Sequence, residues 1–196
     1  MKPIHLYLAN IIQFIWGNDF QTHFMSEDTR EIKIEGKYYP KDIDISVTQS
    51  GSPIFCLGIK FVTSNYKQNA NNYFENMMGE TANIQAKNDL PYAQLIVLRR
   101  ETPYYNREGG VEKIETIDEK DLEKYIRLVD DKPQAHRPFA IGIILVDINE
   151  ETSEVQIIDP KSILEDTIGE RMQTKLSITY LLSEIESYKK YYLTKE

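Results

Sequence analysis

The sequence predicts an α/β protein: one sheet with helices on both faces. Changes in hydrophobic period predict it. A helical stripe over residues 3–16 gives way to period-two alternation between residues 31 and 62, and the helical period returns over residues 70–87. Two apolar runs of buried-strand type then follow, at 92–100 and 136–148.

In residues 3–16, Ile4, Leu8, Ile11, Ile12 and Ile15 fall on one stripe, and the "GND" turn signal at 17–19 closes the helix. "EIKIEG" (31–36), "KDIDISV" (41–47) and "PIFCLGIKFV" (53–62) read as three strands of an antiparallel meander, the last two joined by the turn "QSGS" at 49–52. The next helix carries Ala70, Tyr73, Phe74, Met77, Thr81 and Ile84 on its apolar face, with N-cap candidates among Asn69 to Asn72. "YAQLIVLRR" (92–100) is a buried strand. A polar, aromatic-bearing connection containing "REGG" (107–110) leads to a helix over 118–129. "HRPFAIGIILVDI" (136–148) is the second buried strand, "SEVQIID" (153–159) pairs with it, and a long helix over 162–192 ends the chain. The order is therefore a core of helix, three-strand meander, helix and strand over about residues 3–100, with strand and helix additions over 101–196. A chain of 196 residues, 41% of them hydrophobic, is long enough to bury a real core as one domain.

The longest apolar run, "AIGIILV" at 140–146, is too short to span a bilayer, and the N-terminal segment shows no small-residue cleavage site, so neither a membrane protein nor a secreted one is expected. The single cysteine, Cys56, excludes an intrachain disulfide and a Cys-rich zinc site, and makes the cytoplasm the expected compartment. A net charge of −8 speaks against a simple electrostatic binder of nucleic acid, although the sum conceals a local basic stripe, "LRRETPYYNR" at 98–107.

The chemistry centres on two strands. Period two in "KDIDISV" sets Ile43, Ile45 and Val47 on one face and Asp42, Asp44 and Ser46 on the other. A tight turn to the next strand would bring Lys60, which ends an apolar run where an unpaired ammonium is costly, alongside the carboxylates. Two readings of this patch stand: a lysine snorkelling from a strand end beside solvated aspartates, or carboxylates that hold Mg²⁺ while Lys60 orients or deprotonates the water attacking a phosphodiester.

Helix, three strands, helix and strand, with Asp on the second strand and Lys on the third, resembles the PD-(D/E)xK nuclease superfamily, in particular the type II restriction endonucleases. The stretches "YYPKDIDISV", "LGIKFVTSNY" and "NNYFENMMGETANI" carry the resemblance over about residues 3–100. It implies a restriction-endonuclease-like core in which Asp44, or alternatively Asp42, stands for the PD aspartate and Lys60 for the motif lysine, while the Ile59 backbone carbonyl adds a metal ligand. Gly58 stands where the motif has Asp or Glu. Some restriction enzymes supply the missing carboxylate from the following helix, which here offers Glu75 and Glu80. Five residues separate the two by about 140° around a helix, so at most one faces the lysine. Glu75 points away from the apolar stripe and Glu80 borders it, so Glu80 is the preferred catalytic and metal-binding residue and Glu75 the alternative.

Tyr104, Tyr105, Asn106 and Arg107 are of types that stack on or bond to bases, and their segment reads either as a DNA-reading insertion or as a plain polar connection. His5, His23 and His136 show no metal-ligand spacing. Leu176, Ile178, Leu181, Leu182 and Ile185 read as core; the same stripe would serve as a dimer helix in a homodimer. The resemblance implies a Mg²⁺-dependent endonuclease that cuts duplex DNA at a short sequence, with a cognate DNA methyltransferase as genomic neighbour. The alternatives are a nuclease fold that lost activity through Gly58 and persists as a DNA-binding or assembly subunit, and an unrelated α/β protein–protein module.

Overall fold

Six strands form one mixed sheet in the order β1 (Gln21–Phe24), β4 (Ile45–Gln49), β5 (Ser52–Val62), β6 (Tyr92–Arg99), β9 (Ile141–Ile148) and β10 (Val155–Ile158). The computed structural model describes residues 2–27 and 29–195, with Lys2 described by its backbone alone. β5, β6 and β9 run parallel, and the remaining neighbours pair antiparallel. The parallel steps need long crossovers, supplied by α2 (Tyr66–Asn88) and α3 (Glu119–Asp130). Right-handed crossovers stepping in one direction put both helices on one face. There they share an apolar cluster with α4 (Asp166–Lys175) and with Ile96, Leu98, Ile141, Ile143 and Leu145 of the sheet. α1 (Lys2–Trp16) and α5 (Ile178–Leu193) cover the opposite face, packing Leu8, Ile12, Trp16, Leu181 and Ile185 on Ile45, Val47, Phe55, Leu57 and Leu95. With both faces covered, the central strands are apolar on both sides, which is why β6 reads as a nearly continuous hydrophobic run. The expected mixed α/β architecture is present. No helix of the described residues is long and apolar enough to cross a membrane.

Four expectations need correction. The first strand of the meander is β1, not residues 31–36: β2 (Ile32–Glu35) pairs with β3 (Pro40–Ile43) in a separate two-stranded sheet. β1 is four residues of "QTHF" without apolar alternation; the Gln13 side chain holds its start by accepting from Thr22 N at 3.0 Å and donating to Phe20 O at 3.0 Å. α2 begins earlier than Asn69, at Tyr66, after Asn65 in the left-handed region at φ 50°. The connection after β6 is a hairpin of β7 (Glu101–Tyr105) and β8 (Val111–Thr116). The C-terminal helix is broken, because the Leu176 carbonyl accepts from Ile143 N of β9 at 2.6 Å while Ser177 caps a new helix through its hydroxyl on Tyr180 N. The stripe expected on that helix contributes Leu176, Leu181 and Ile185 to the core.

Candidate active site

The strand expected over residues 41–47 is two strands, because the chain bends at Asp44. Ile43 joins a cluster with Cys56, Ile84 and Tyr92 on the α2 side, whereas Ile45 and Val47 pack on the α1 side, so the period-two alternation fails at this residue. The break has a local cause. β4 is in register with β5 only from the pair Ile45–Leu57 onward, so the second half of β5 has no ladder partner on that edge. A backbone donor left there needs an acceptor, and Asp44 Oδ2 accepts from Ile59 N at 2.8 Å. The N–H and C=O of one strand residue face the same neighbour, so the Ile59 carbonyl points toward the edge that Asp44 occupies.

Lys60 projects on the α2 side of β5, two residues before the strand ends, and donates to Glu80 Oε1 of α2 at 2.9 Å. Lys41 Nζ lies 3.0 Å from the same oxygen. The three side chains are 38%, 16% and 26% exposed for Lys60, Glu80 and Lys41, so the triad is half withdrawn from water. Lys41 arrives there by construction. On β3 it shares a face with buried Ile43, and the turn leading into β3 is clamped by Asn83 of α2, whose Oδ1 accepts from Tyr38 N at 2.9 Å and whose Nδ2 donates to Tyr39 O at 2.9 Å. Glu80 Oε2 is buried without a hydrogen-bond partner.

Position 58, where the resemblance expects Asp or Glu, has no room for a side chain. A Cβ there would lie closer than 3.0 Å to the Tyr92 hydroxyl and 3.0 Å from Gln94 Oε1. Burial, reinforced by the charges of Glu80 and Asp44, pushes the Tyr92 phenol far above its ordinary range and keeps it protonated. Gln94 pairs in register with Gly58 and is fully buried. Neither atom of its carboxamide has a hydrogen-bond partner of normal geometry, although the Tyr92 hydroxyl lies beside it. On the other side of Asp44, His5 Nε2 of α1 is 3.5 Å from Oδ1. Glu31 lies within the field of the same group: burial raises its carboxyl, the Asp44 charge raises it further, and His5 partly offsets this.

The structure brings Lys60 and Glu80 into contact and sets Asp44 on the backbone of Ile59, the residue before Lys60, with the Ile59 carbonyl facing the same edge. Glu75 is exposed on α2, and Asp42 is exposed opposite Lys33 of β2. Tyr104 and Tyr105 end β7, and Asn106 and Arg107 form the hairpin tip. The Asn106 side-chain Oδ1 is spent on the turn, accepting from Glu108 N and Gly110 N, so it is not free to read a base. The hairpin springs from the C-terminal end of the parallel strands, tied by Asn65 N to Pro103 O and by Tyr105 N to Asn65 Oδ1. The basic stripe at 98–107 is largely neutralised: Arg99 pairs with Glu150, and Arg100 pairs with Glu101 and Asp147. Arg107 has no ion-pair partner among the described residues.

Sequence reasoning did not select Lys41, Tyr92, Gln94 or His5. Two signals were there to be read: the alternation that puts Lys41 with Ile43, and a glutamine inside the apolar run "YAQLIVL". Among the described residues, no group of three or more His, Cys, Asp and Glu side chains is arranged to hold a metal ion. Comparison of the chain with models of protein families, with curated proteins and with solved structures gave no significant match.

Proposed function

We propose that the chain is a Mg²⁺-dependent endodeoxyribonuclease of restriction type, built on a PD-(D/E)xK core, that hydrolyses duplex DNA at a short sequence. The observation that carries the reading is the contact of Lys60 with Glu80 next to Ile59, whose N–H Asp44 accepts, where β4 stops and β5 runs on. Mg²⁺ keeps several waters and commonly takes only one or two carboxylates from the protein, so the lack of a three-residue cluster is compatible with it. The residues that would hold it are Asp44, Glu80 through its unpartnered Oε2, and the Ile59 carbonyl. Bound there, the ion would polarise the phosphodiester and acidify a water.

The chain's own groups supply the rest. Lys60, partly exposed, holds the attacking water and counters the charge that builds on the phosphate. Hydrolysis joins the water oxygen to phosphorus and releases one ester oxygen as a hydroxyl. Asp44 is fixed by the Ile59 N–H and has an oxygen directed at His5. The exposed Leu6, Tyr7 and Phe14 on α1 offer the apolar face on which a homodimer would close.

One observation favours a second reading, a nuclease fold that binds DNA without cutting it: both lysines already satisfy Glu80 Oε1. Incubation of supercoiled plasmid with the protein and MgCl₂ separates the two. Cleavage by the wild type and its loss in Lys60→Ala supports the enzyme; DNA binding that weakens with salt but gives no cleavage with Mg²⁺ or Mn²⁺ supports the subunit.

A further inference from the structure

We propose that Lys41 and Lys60 form a phosphate-binding fork that Glu80 holds closed, and that Lys41 is a second cation contacting the DNA backbone at this site. The identification of the anion as a DNA phosphodiester rests on the nuclease reading; the fork itself does not.

Both ammonium groups are within 3.0 Å of one carboxylate oxygen, so they lie within about 6 Å of each other, partly desolvated, with one negative charge between two positive ones. A single carboxylate neutralises half of that charge. A phosphate presents two or more charged oxygens at a spacing that lets both ammonium groups bind it at once. When a phosphate enters, Glu80 can release one lysine and remain neutralised by the other.

The placement of Lys41 is fixed by the fold. The Asn83 clamp on the turn before β3, together with burial of Ile43 beside Ile84 of α2, sets the strand so that Lys41 faces α2 at Glu80. The same corner holds unspent hydrogen-bonding capacity, since Glu80 Oε2 is buried without a partner. Buried polar atoms are seldom left so, and a ligand-binding corner is where they are expected.

The test compares wild type, Lys41→Gln, the charge-preserving Lys41→Arg and the control Lys33→Gln, which removes an exposed charge from the neighbouring β2. Inorganic phosphate is titrated into ¹⁵N-labelled protein, and binding of a 20-base-pair DNA duplex is measured in Ca²⁺ over a range of salt concentrations. Wild type should show saturable shifts at the amides of residues 41 and 60. Lys41→Gln should weaken phosphate binding at least threefold and lower the slope of log affinity against log salt by about one. Lys41→Arg should keep both properties, and Lys33→Gln should change neither. Equality of Lys41→Gln and Lys33→Gln in both measurements would overturn the fork, whether or not the wild type cuts plasmid. Loss of phosphate binding with an unchanged DNA slope would leave a site for free phosphate and overturn the assignment to the DNA backbone. A fork intact by both measurements in a protein that never cleaves DNA would overturn the nuclease reading and leave the fork standing.

Discussion

Gly58→Ala should destabilise the protein, and Tyr92→Phe should relieve most of that loss. The backbone at Gly58 is not in the left-handed region, so the requirement for glycine is one of space. A Cβ there would fall closer than 3.0 Å to the Tyr92 hydroxyl oxygen, about 1 Å inside ordinary van der Waals contact. Tyr92 is 1% exposed, and β5 and β6 are locked in register on either side of the contact, so neither group can retreat without moving a central strand. Overpacking of this kind costs about 1–3 kcal/mol, and we expect the upper half of that range. For a chain of this length that corresponds to a fall of roughly 5–10 °C in Tm. In Tyr92→Phe the closest contacts become Gln94 Oε1 at 3.0 Å and the ring Cζ at 3.1 Å, which small shifts can relieve. The alanine should then cost less than about 1 kcal/mol, giving a coupling of about 1–2 kcal/mol in a double-mutant cycle. Urea denaturation of the four proteins measures it. Equal cost of Gly58→Ala in both backgrounds would refute the packing account. So would no cost at all. The same crowding predicts that a carboxylate returned to position 58 misfolds the chain unless Tyr92 is reduced with it.

Asp44→Ala and Lys60→Ala should each abolish Mg²⁺-dependent cleavage while the far-ultraviolet circular dichroism stays unchanged. Asp44→Ala should also lose about 1 kcal/mol of stability, because the Ile59 N–H forfeits its acceptor. Asp118 caps α3 in a reciprocal capping box with Asp121, so Asp118→Ala should cost about 1 kcal/mol in denaturant. Its hydrogen bond to Lys67 holds the Asp118 carboxyl below the usual range. The stability it contributes is therefore fully present above the unfolded carboxylate value of about 3.9 and is lost as pH falls through the lower folded value. The gap between wild type and Asp118→Ala should be flat from neutral pH down to about pH 5 and close below it; a gap that widens on acidification would contradict this. Arg107→Ala should weaken binding to cognate DNA more than to random DNA, by the roughly 1–3 kcal/mol of a bidentate base contact; equal loss on both would reduce Arg107 to a phosphate contact.

Elements with a long, regular period were legible in the sequence. α1, β5, β6, α3 and all but the first turn of α2 lie where the sequence puts them, because burial on a helix stripe or on both faces of a central strand marks the sequence along its length. β1 was not legible: four residues held by the Gln13 side chain have no pattern of their own. The bend at Asp44 was concealed by a perfect alternation in "DIDIS", since it depends on an acceptor for the Ile59 N–H from a strand 15 residues later. The preference for Glu80 over Glu75 came from helix geometry and from the resemblance of the Gly79-Glu80 pair to one in restriction enzymes, and in the structure Glu80 is the one beside Lys60 while Glu75 is exposed. That Lys41 meets Glu80 could not be read, because it requires the Asn83 clamp between α2 and a turn distant in sequence.

The most direct test of the site is cleavage of supercoiled plasmid in MgCl₂ by wild type, Glu80→Ala and Glu75→Ala, scored at equal folded protein. Glu80 is largely withdrawn from water, with one oxygen on the two lysines and the other unpartnered, so its removal should take away both the proposed metal ligand and the partner that positions Lys60. We predict cleavage by wild type and by Glu75→Ala at closely similar rates, and none by Glu80→Ala. Cleavage by Glu80→Ala at the wild-type rate would contradict the assignment of Asp44, Lys60 and Glu80 as the active site.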